Sequence, residues 1–187
     1  MNRLFGVMVA TAVAGCSNGP PGLDYTNPKT GALLLVKDTT STRTSMVLDL
    51  VVGSAAQTGY STGFDLPLDA TKVSLGTFTP GTALSPGSAP IAANAVIPTT
   101  GPLAANLVVA QSQKASGTGA VTTDTTLAPG TVLFTVELQL DPKASAGVVF
   151  DGLGSDFVLP SGGLLNRTGN AVVTAGQVGI GKLEVEN

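Results

Sequence analysis

The stretch that decides the fold is Val132-Leu-Phe-Thr-Val-Glu-Leu-Gln-Leu140, in which apolar and polar residues alternate. The apolar positions are Val132, Phe134, Val136, Leu138 and Leu140, and the polar positions between them are Thr135, Glu137 and Gln139. Successive side chains of a β-strand point to opposite faces, so this period of two predicts a strand with one buried face. We therefore expect Phe134 in the core and Glu137 in contact with water.

The same alternation recurs along the chain between turn-forming residues. It relates Met46, Leu48, Leu50 and Val52, and it sets Phe64, Leu66 and Leu68 opposite Asp65 and Asp69. Further predicted strands are 32–37, 72–78, 92–97, 106–111, 147–150, 157–159, 171–174 and 178–185. About ten short strands with Gly and Pro turns, and no helical period, predict an all-β sandwich or jelly roll.

The composition supports this fold class and limits the function. The chain has 187 residues, which fits one domain, with 24 Gly, 12 Pro and only 11% charged residues. Long helices favour Ala, Leu, Glu, Lys and Arg, whereas this composition favours strands and turns. Residues 1–15, which include Arg3, are expected to be removed as an export signal. The remaining chain has 8 basic and 12 acidic side chains, a net charge of −4. This gives no basic footprint for nucleic acid.

The N-terminus predicts export. Arg3 gives a short positive region, and the apolar run 4–14 is too short to span a bilayer. The run ends in Val13-Ala-Gly-Cys16, which resembles the lipobox of bacterial lipoproteins: an aliphatic residue, two small residues (Ala14 and Gly15) and the cysteine. The alternatives are an ordinary signal peptide with a chance cysteine, or a buried apolar helix.

The lipobox resemblance implies that residues 1–15 are a signal peptide and that Cys16 carries a diacylglycerol anchor. Two or more acyl chains hold a protein stably in a membrane. Ser17 follows the cysteine, whereas an aspartate there often marks inner-membrane retention in the family. The expected location is therefore the cell envelope, lipid-anchored, at the outer membrane where the cell has two.

Two kinds of segment surround the predicted strands. Residues 16–31 are polar and turn-forming, with no hydrophobic period, so we expect a flexible tether before a domain at 32–187. Segments 79–104 and 112–130 are rich in Thr, Ser, Gly, Ala and Pro. We expect long loops or edge strands there, where variable binding surface would lie.

The order of several motifs resembles the cohesin family. Val47-Leu-Asp-Leu-Val-Val52 is followed by Thr62-Gly-Phe-Asp-Leu-Pro-Leu-Asp-Ala-Thr-Lys-Val73 and then Leu75-Gly-Thr-Phe-Thr-Pro-Gly-Thr-Ala-Leu84. Gly117-Thr-Gly119 precedes Leu127-Ala-Pro-Gly-Thr-Val-Leu-Phe-Thr-Val136, and Gly176-Gln-Val-Gly-Ile-Gly-Lys-Leu-Glu-Val resembles the closing strand. Cohesins usually have an aromatic residue where this chain has Leu68.

This resemblance implies a single jelly-roll sandwich of about nine strands that binds a protein partner, a dockerin-like or other surface protein, through a sheet face. Thr135, Glu137 and Gln139 form one outward row on which a partner would dock, and Asp65 and Asp69 form another. Ordinary solvated faces are the alternative for these residues. Because the larger group includes carbohydrate-binding modules, the alternative function is binding of envelope or extracellular polysaccharide.

Catalysis is not expected. The chain has no histidine, which excludes Ser-His-Asp and Cys-His catalysis and most zinc sites. Asp65 and Asp69 would lie roughly 13 Å apart along one strand, at ~3.3 Å per residue. That exceeds the ~5–9.5 Å between the carboxylates of glycosidases. We therefore expect a binding protein and no enzyme.

No cofactor is expected, with calcium as an open alternative. Asp151-Gly-Leu-Gly-Ser-Asp156 is a glycine-rich loop with a carboxylate at each end, and Ca²⁺ favours oxygen ligands on turning backbone. The loop lacks the D-x-D-x-D-G spacing of calcium loops, so an ordinary turn is the preferred interpretation of Asp151 and Asp156.

Overall fold

The computed structural model describes residues 19–85, 91–114 and 123–187, and it confirms the all-β prediction. Within these ranges the chain forms strands and no α-helix. The first eight strands are β1 Gly22–Thr26, β2 Leu33–Lys37, β3 Ser45–Val52, β4 Gln57–Gly59, β5 Ser61–Pro67, β6 Val73–Pro80, β7 Ile91–Val96 and β8 Asn106–Gln113. The others are β9 Thr125–Leu127, β10 Val132–Leu140, β11 Gly147–Asp151, β12 Ser161–Leu165, β13 Ala171–Val173, β14 Val178–Gly179 and β15 Lys182–Glu186. None of the described residues belongs to a helix long and apolar enough to cross a membrane.

Two five-stranded sheets form the body of the fold. The front sheet has the order β14-β2-β3-β10-β6, and the back sheet has the order β13-β12-β5-β8-β7. A three-stranded sheet, β1-β15-β11, and the pair β4-β9 complete the structure. All pairs are antiparallel except β14 with β2. The arrangement is of the β-sandwich type, and the jelly-roll connectivity stays a prediction.

The core lies between the inner faces of the two main sheets. Phe134 of the front sheet is fully buried, and its ring centroid lies 5.6 Å from that of Phe64 in the back sheet. Phe78 of β6 contacts the same ring at 5.7 Å. The alternating residues predicted on β3 are all buried: Met46, Leu48, Leu50 and Val52. Apolar burial is the main stabilising term in such a fold, so these rings and aliphatic side chains hold the two sheets together.

The predicted alternation on β10 is wrong at its first residue. Pairing of β10 with β3 shifts register between Val132 and Phe134, which is a β-bulge. The extra residue brings Leu133 into the core beside Phe134, while Val132 is 37% exposed. The rest of the strand keeps the predicted phase.

The predicted tether at 16–31 is wrong for its central part. Residues 22–26 form β1, which pairs antiparallel with β15 from Gly22 opposite Glu186 to Thr26 opposite Lys182. The two inward side chains of this strand are Leu23 and Tyr25, each 5% exposed. Two apolar side chains within a polar segment are too few to show a period, and pairing with the distant β15 is what orders them.

Two other predicted strands differ from the structure. Residues 157–159 form no strand, although Leu159 packs in the core. The predicted strand 178–185 is two strands, β14 and β15, separated at Gly181. A Cβ on Gly181 would lie 2.1 Å from the Thr26 carbonyl oxygen, so this close approach requires glycine. The segments 79–104 and 112–130, expected as long loops or edge strands, contain β7, which is an edge strand at the predicted position 92–97, and β9.

Candidate functional site

The outward row on β10 lies on the front sheet, where its polar groups are engaged with neighbouring strands. The Thr135 hydroxyl donates a hydrogen bond of 2.6 Å to the Asp49 carboxylate on β3. Glu137 accepts from the Ser45 hydroxyl at 2.5 Å on one side of the strand. On the other side it accepts from the Thr77 hydroxyl at 2.9 Å. These bonds tie β3, β10 and β6 together across the outer face.

The Glu137 carboxylate is stabilised in its charged form by this arrangement. Hydrogen bonds from Ser45 and then Thr77 hold the pKa of Glu137 below its ordinary value. A carboxylate has about four lone-pair positions, so these bonds fix the Glu137 side chain and still leave it acceptor capacity. The row of Thr135, Glu137 and Gln139 stays a prediction as a binding face, although part of its polar capacity is used within the sheet.

Asp65 and Asp69 do not form the second row that the sequence predicted. Asp65 lies on the outer face of the back sheet and accepts a hydrogen bond of 2.6 Å from Ser161 of β12. Asp69 lies beyond the end of β5, where its carboxylate accepts from the Thr71 hydroxyl at 2.6 Å and contacts Lys72 Nζ at 3.1 Å. Hydrogen bonds from Thr71 lower the pKa of Asp69. Asp69 caps a turn, so the predicted pair does not share a face.

A groove of about 740 Å³ runs over the outer face of the back sheet. Three cross-strand rows line it, and each takes residues from β12, β5 and β8 in register. The middle row is Gly163, Gly63, Ala110 and Asn94, the last of these on β7. One flanking row contains Ser161, Asp65 and Val108, and the other contains Leu165, Ser61, Ser112 and Ala92.

Small side chains make the floor of the groove. Gly63 and Ala110 face each other at its centre, and Ala110 is exposed. A Cβ on Gly63 would lie 2.4 Å from the Val109 carbonyl oxygen, so even a methyl group is excluded there. The absence of bulk along the middle row leaves room for another molecule to approach the backbone of the sheet. Asp65, Ser161 and Asn94 supply polar groups at its margin.

Sequence reasoning found Asp65 and missed the rest of the groove. Most outward positions of β5, β8 and β12 carry Gly, Ala or Ser, which give no clear polar alternation in the sequence. The available signal was the placement of Gly63 between the inward-facing Thr62 and Phe64. A glycine inside a strand often marks close approach of another backbone or a ligand.

Asp151 and Asp156, for which an ordinary turn is preferred over a calcium site, flank a turn. One oxygen of Asp151 accepts hydrogen bonds of 3.0 Å from the backbone N–H groups of Leu153 and Gly154. Asp156 accepts from the neighbouring Ser155 hydroxyl at 3.3 Å. Self-capping of this kind accounts for an aspartate at the start of a glycine loop without a metal ion.

A different group of carboxylates lies close together on the three-stranded sheet. Oxygen atoms of Asp24, Glu184 and Glu186 lie within 4.8 Å of one another. Lys37 contacts Asp24 at 3.9 Å, and Lys182 contacts Glu184 at 2.6 Å. The hydrogen bond that Lys182 donates to Glu184 raises the pKa of Lys182. These two lysines offset part of the negative charge, since Asp24 and Glu184 each have a lysine partner.

The lipobox residues Val13, Ala14 and Gly15, together with Cys16, lie outside the described residues. No protein-family model matches the chain, and neither a curated protein nor a solved structure matches it. The cohesin resemblance stays a prediction.

Proposed function

We propose that this chain is a non-enzymatic, lipid-anchored binding protein of the cell envelope that holds a protein partner in the back-sheet groove. The observation that carries the proposal is the row of Gly163, Gly63 and Ala110 across the centre of the groove. It gives a partner access to the sheet over three adjacent strands. The anchor is the diacylglycerol at Cys16 that the lipobox implies.

The nature of the groove surface favours binding over a merely solvated face. Val108, Ala110 and Leu165 provide apolar surface beside the polar pair of Asp65 and Ser161. A partner that covers this surface gains about 25 cal/mol for each Å² of apolar area removed from water. The carboxylate at the margin adds direction and selectivity more than affinity.

A protein partner fits this groove better than a polysaccharide. Sugar-binding surfaces commonly stack rings on planar aromatic side chains, and the chain has no tryptophan. Phe64 is the one aromatic residue that lines the groove, and its side chain is 2% exposed because it points into the core. Tyr25 and Tyr60 are buried as well. Apolar and small residues without an aromatic platform suit the side chains of a partner protein.

The lipid anchor can be tested separately from the groove. Cells that express the chain and grow with an alkyne fatty acid should incorporate the label into the protein. Cys16→Ser should abolish the labelling, because the serine hydroxyl is not a substitute for the thiolate nucleophile. Labelling that persists in the serine variant would contradict the anchor.

The groove is tested by filling it in the full-length protein. Ala110→Trp places a large side chain on the groove floor, whereas Gln139→Trp makes a matched change at an exposed position on the front sheet. We expect cross-linking in intact cells to capture a partner with the parent chain and with Gln139→Trp, and to lose it with Ala110→Trp. Equal capture by both variants would contradict the proposal. Binding to a glycan array that Ala110→Trp abolishes would replace the protein partner with a polysaccharide.

A further inference from the structure

The ordered domain begins close to the proposed anchor, because the chain is fixed to the fold from Pro20 onward. The Pro20 carbonyl oxygen accepts a hydrogen bond of 2.8 Å from the Arg43 guanidinium. The backbone N–H of Leu23 donates to the Arg43 carbonyl oxygen at 2.7 Å. Gly22 pairs with Glu186, the last residue of β15. The start of β1 is therefore held between the turn before β3 and the end of β15.

The remaining tether is short. Three residue steps separate Cys16 from Gly19, and an extended chain spans at most ~3.6 Å per step, or about 11 Å in all. A tether that ran to residue 31 would have fifteen steps and a reach of up to about 54 Å by the same measure. The pairing of β1 thus removes most of the freedom that the sequence suggested.

Resting on the proposed lipid anchor, we infer that the domain is held end-on against the lipid bilayer. The surface that faces the lipid consists of the β2–β3 turn, residues 38–44, and the C-terminal end of β15. The short distance from Cys16 to this surface sets the orientation of the domain. The molecule that this surface contacts is the lipid bilayer.

The charged side chains at this end of the domain are of both signs, which fits a contact with the bilayer that the tether, and not electrostatic attraction, imposes. Lys37 and Arg43 lie beside Asp24 and Glu186 in a polar cleft of about 490 Å³ next to the first described residues. Mixed charges give little attraction to an anionic lipid surface, which would need clustered Lys and Arg. The end-on position leaves the outer faces of both main sheets directed sideways, where a partner can reach the groove.

The two ends of β3 provide a direct test. Thr44 and Ser54 are exposed and flank this strand, and ten residue steps at ~3.3 Å place them about 30 Å apart. Cys16 is the only cysteine of the chain and its thiol is used by the anchor, so Thr44→Cys and Ser54→Cys each add a single free thiol. Each full-length lipoprotein is labelled with a thiol-reactive fluorophore and reconstituted in phosphatidylcholine vesicles that contain a lipid with a nitroxide on its head group.

We expect the nitroxide to quench the fluorophore at position 44 severalfold more strongly than the fluorophore at position 54. Insertion of twenty Gly and Ser residues after Ser17, with a root-mean-square length of about 25 Å, should reduce quenching at position 44 to the level at position 54. Equal quenching at the two positions, or quenching at position 44 that survives the insertion, would overturn the inference. Mass spectrometry of the same preparations detects the acyl chains. Unacylated chains that do not float with the vesicles would instead show that the proposed anchor is wrong.

Discussion

The two outer sheet faces differ in how much of their bonding capacity is already used. On the front face, Thr135 and Glu137 are hydrogen-bonded to side chains on both neighbouring strands. On the back face, the central positions of the groove are Gly63 and Ala110, which have no polar side chain to satisfy. On the front face, polar side chains form hydrogen bonds that link three strands. The back face has space and apolar surface over which another molecule can lie.

This difference is the reason for proposing the back face as the binding surface. A buried or interfacial polar group gains little when it exchanges one hydrogen bond for another. Open space over small residues lets a partner bury apolar area without breaking existing bonds. The candidate site therefore lies on the back sheet, whose outward residues are less distinctive in the sequence.

Removal of the Phe134 ring, which contacts residues of both sheets, should have the largest effect on stability. Phe134 contacts Phe64 and Phe78 in the core, and Phe134→Ala should lower the free energy of unfolding by about 3–5 kcal/mol through lost burial and a cavity. Val132→Ala is the control on the same strand, because Val132 is exposed at the bulge, and it should change stability by less than about 0.5 kcal/mol. Urea denaturation measures both. Similar losses from the two variants would mean that β10 has the alternation read from the sequence, without the bulge.

A smaller loss of stability is expected from substitution of Tyr25, which lies on neither of the two outer sheet faces. The buried hydroxyl of Tyr25 donates a hydrogen bond of 2.7 Å to the Leu35 carbonyl oxygen and accepts one of 2.8 Å from the Gly181 N–H. Tyr25→Phe leaves these two groups without their partner and should cost about 1–3 kcal/mol. Partner affinity should not change while the protein stays folded. Unaltered stability would show that β1 behaves as part of the tether.

The front-face network should be sensitive to acid. Because the pKa of Glu137 is lowered in the folded protein, its contribution is complete above the ordinary glutamate pKa of about 4.3 and is lost as the pH falls through the folded value. Glu137→Gln should therefore cost about 1 kcal/mol near neutral pH. The difference from the parent chain should disappear below about pH 3, as followed by thermal unfolding over a pH series. A difference that grows on acidification would contradict the assigned hydrogen bonds.

Hydrophobic alternation predicted the fold class and much of the core. Leu48, Leu50, Phe64 and Phe134 were all expected to face inward, and all are buried, because a period of two is set by the backbone itself. The bulge at Val132 could not be read from the same pattern, since it depends on pairing with β3. The tether prediction missed Tyr25 because its segment has no hydrophobic period and its strand pairs with β15, more than 150 residues along the chain.

The candidate site was less predictable than the core. Asp65 was identified through its phase on β5, but its partner Ser161 lies 96 residues away on a strand that the sequence did not reveal. The groove exists only because four strands bring small residues into register. Glu137 lies on the outer face as predicted, and its bonds to Ser45 and Thr77, which the sequence pattern did not indicate, give it a structural role within the sheet.

The most direct test of the back-face claim reverses one charge on each face and titrates the captured partner. Asp65→Lys changes the margin of the groove, and Glu137→Lys is the matched change on the front sheet. We expect Asp65→Lys to weaken binding at least about fivefold, which corresponds to about 1 kcal/mol, because a charge at the contact is reversed against its complement. Glu137→Lys should leave the affinity unchanged in protein that circular dichroism shows to be folded. Loss of affinity with Glu137→Lys and none with Asp65→Lys would place the partner on the front sheet and contradict the account.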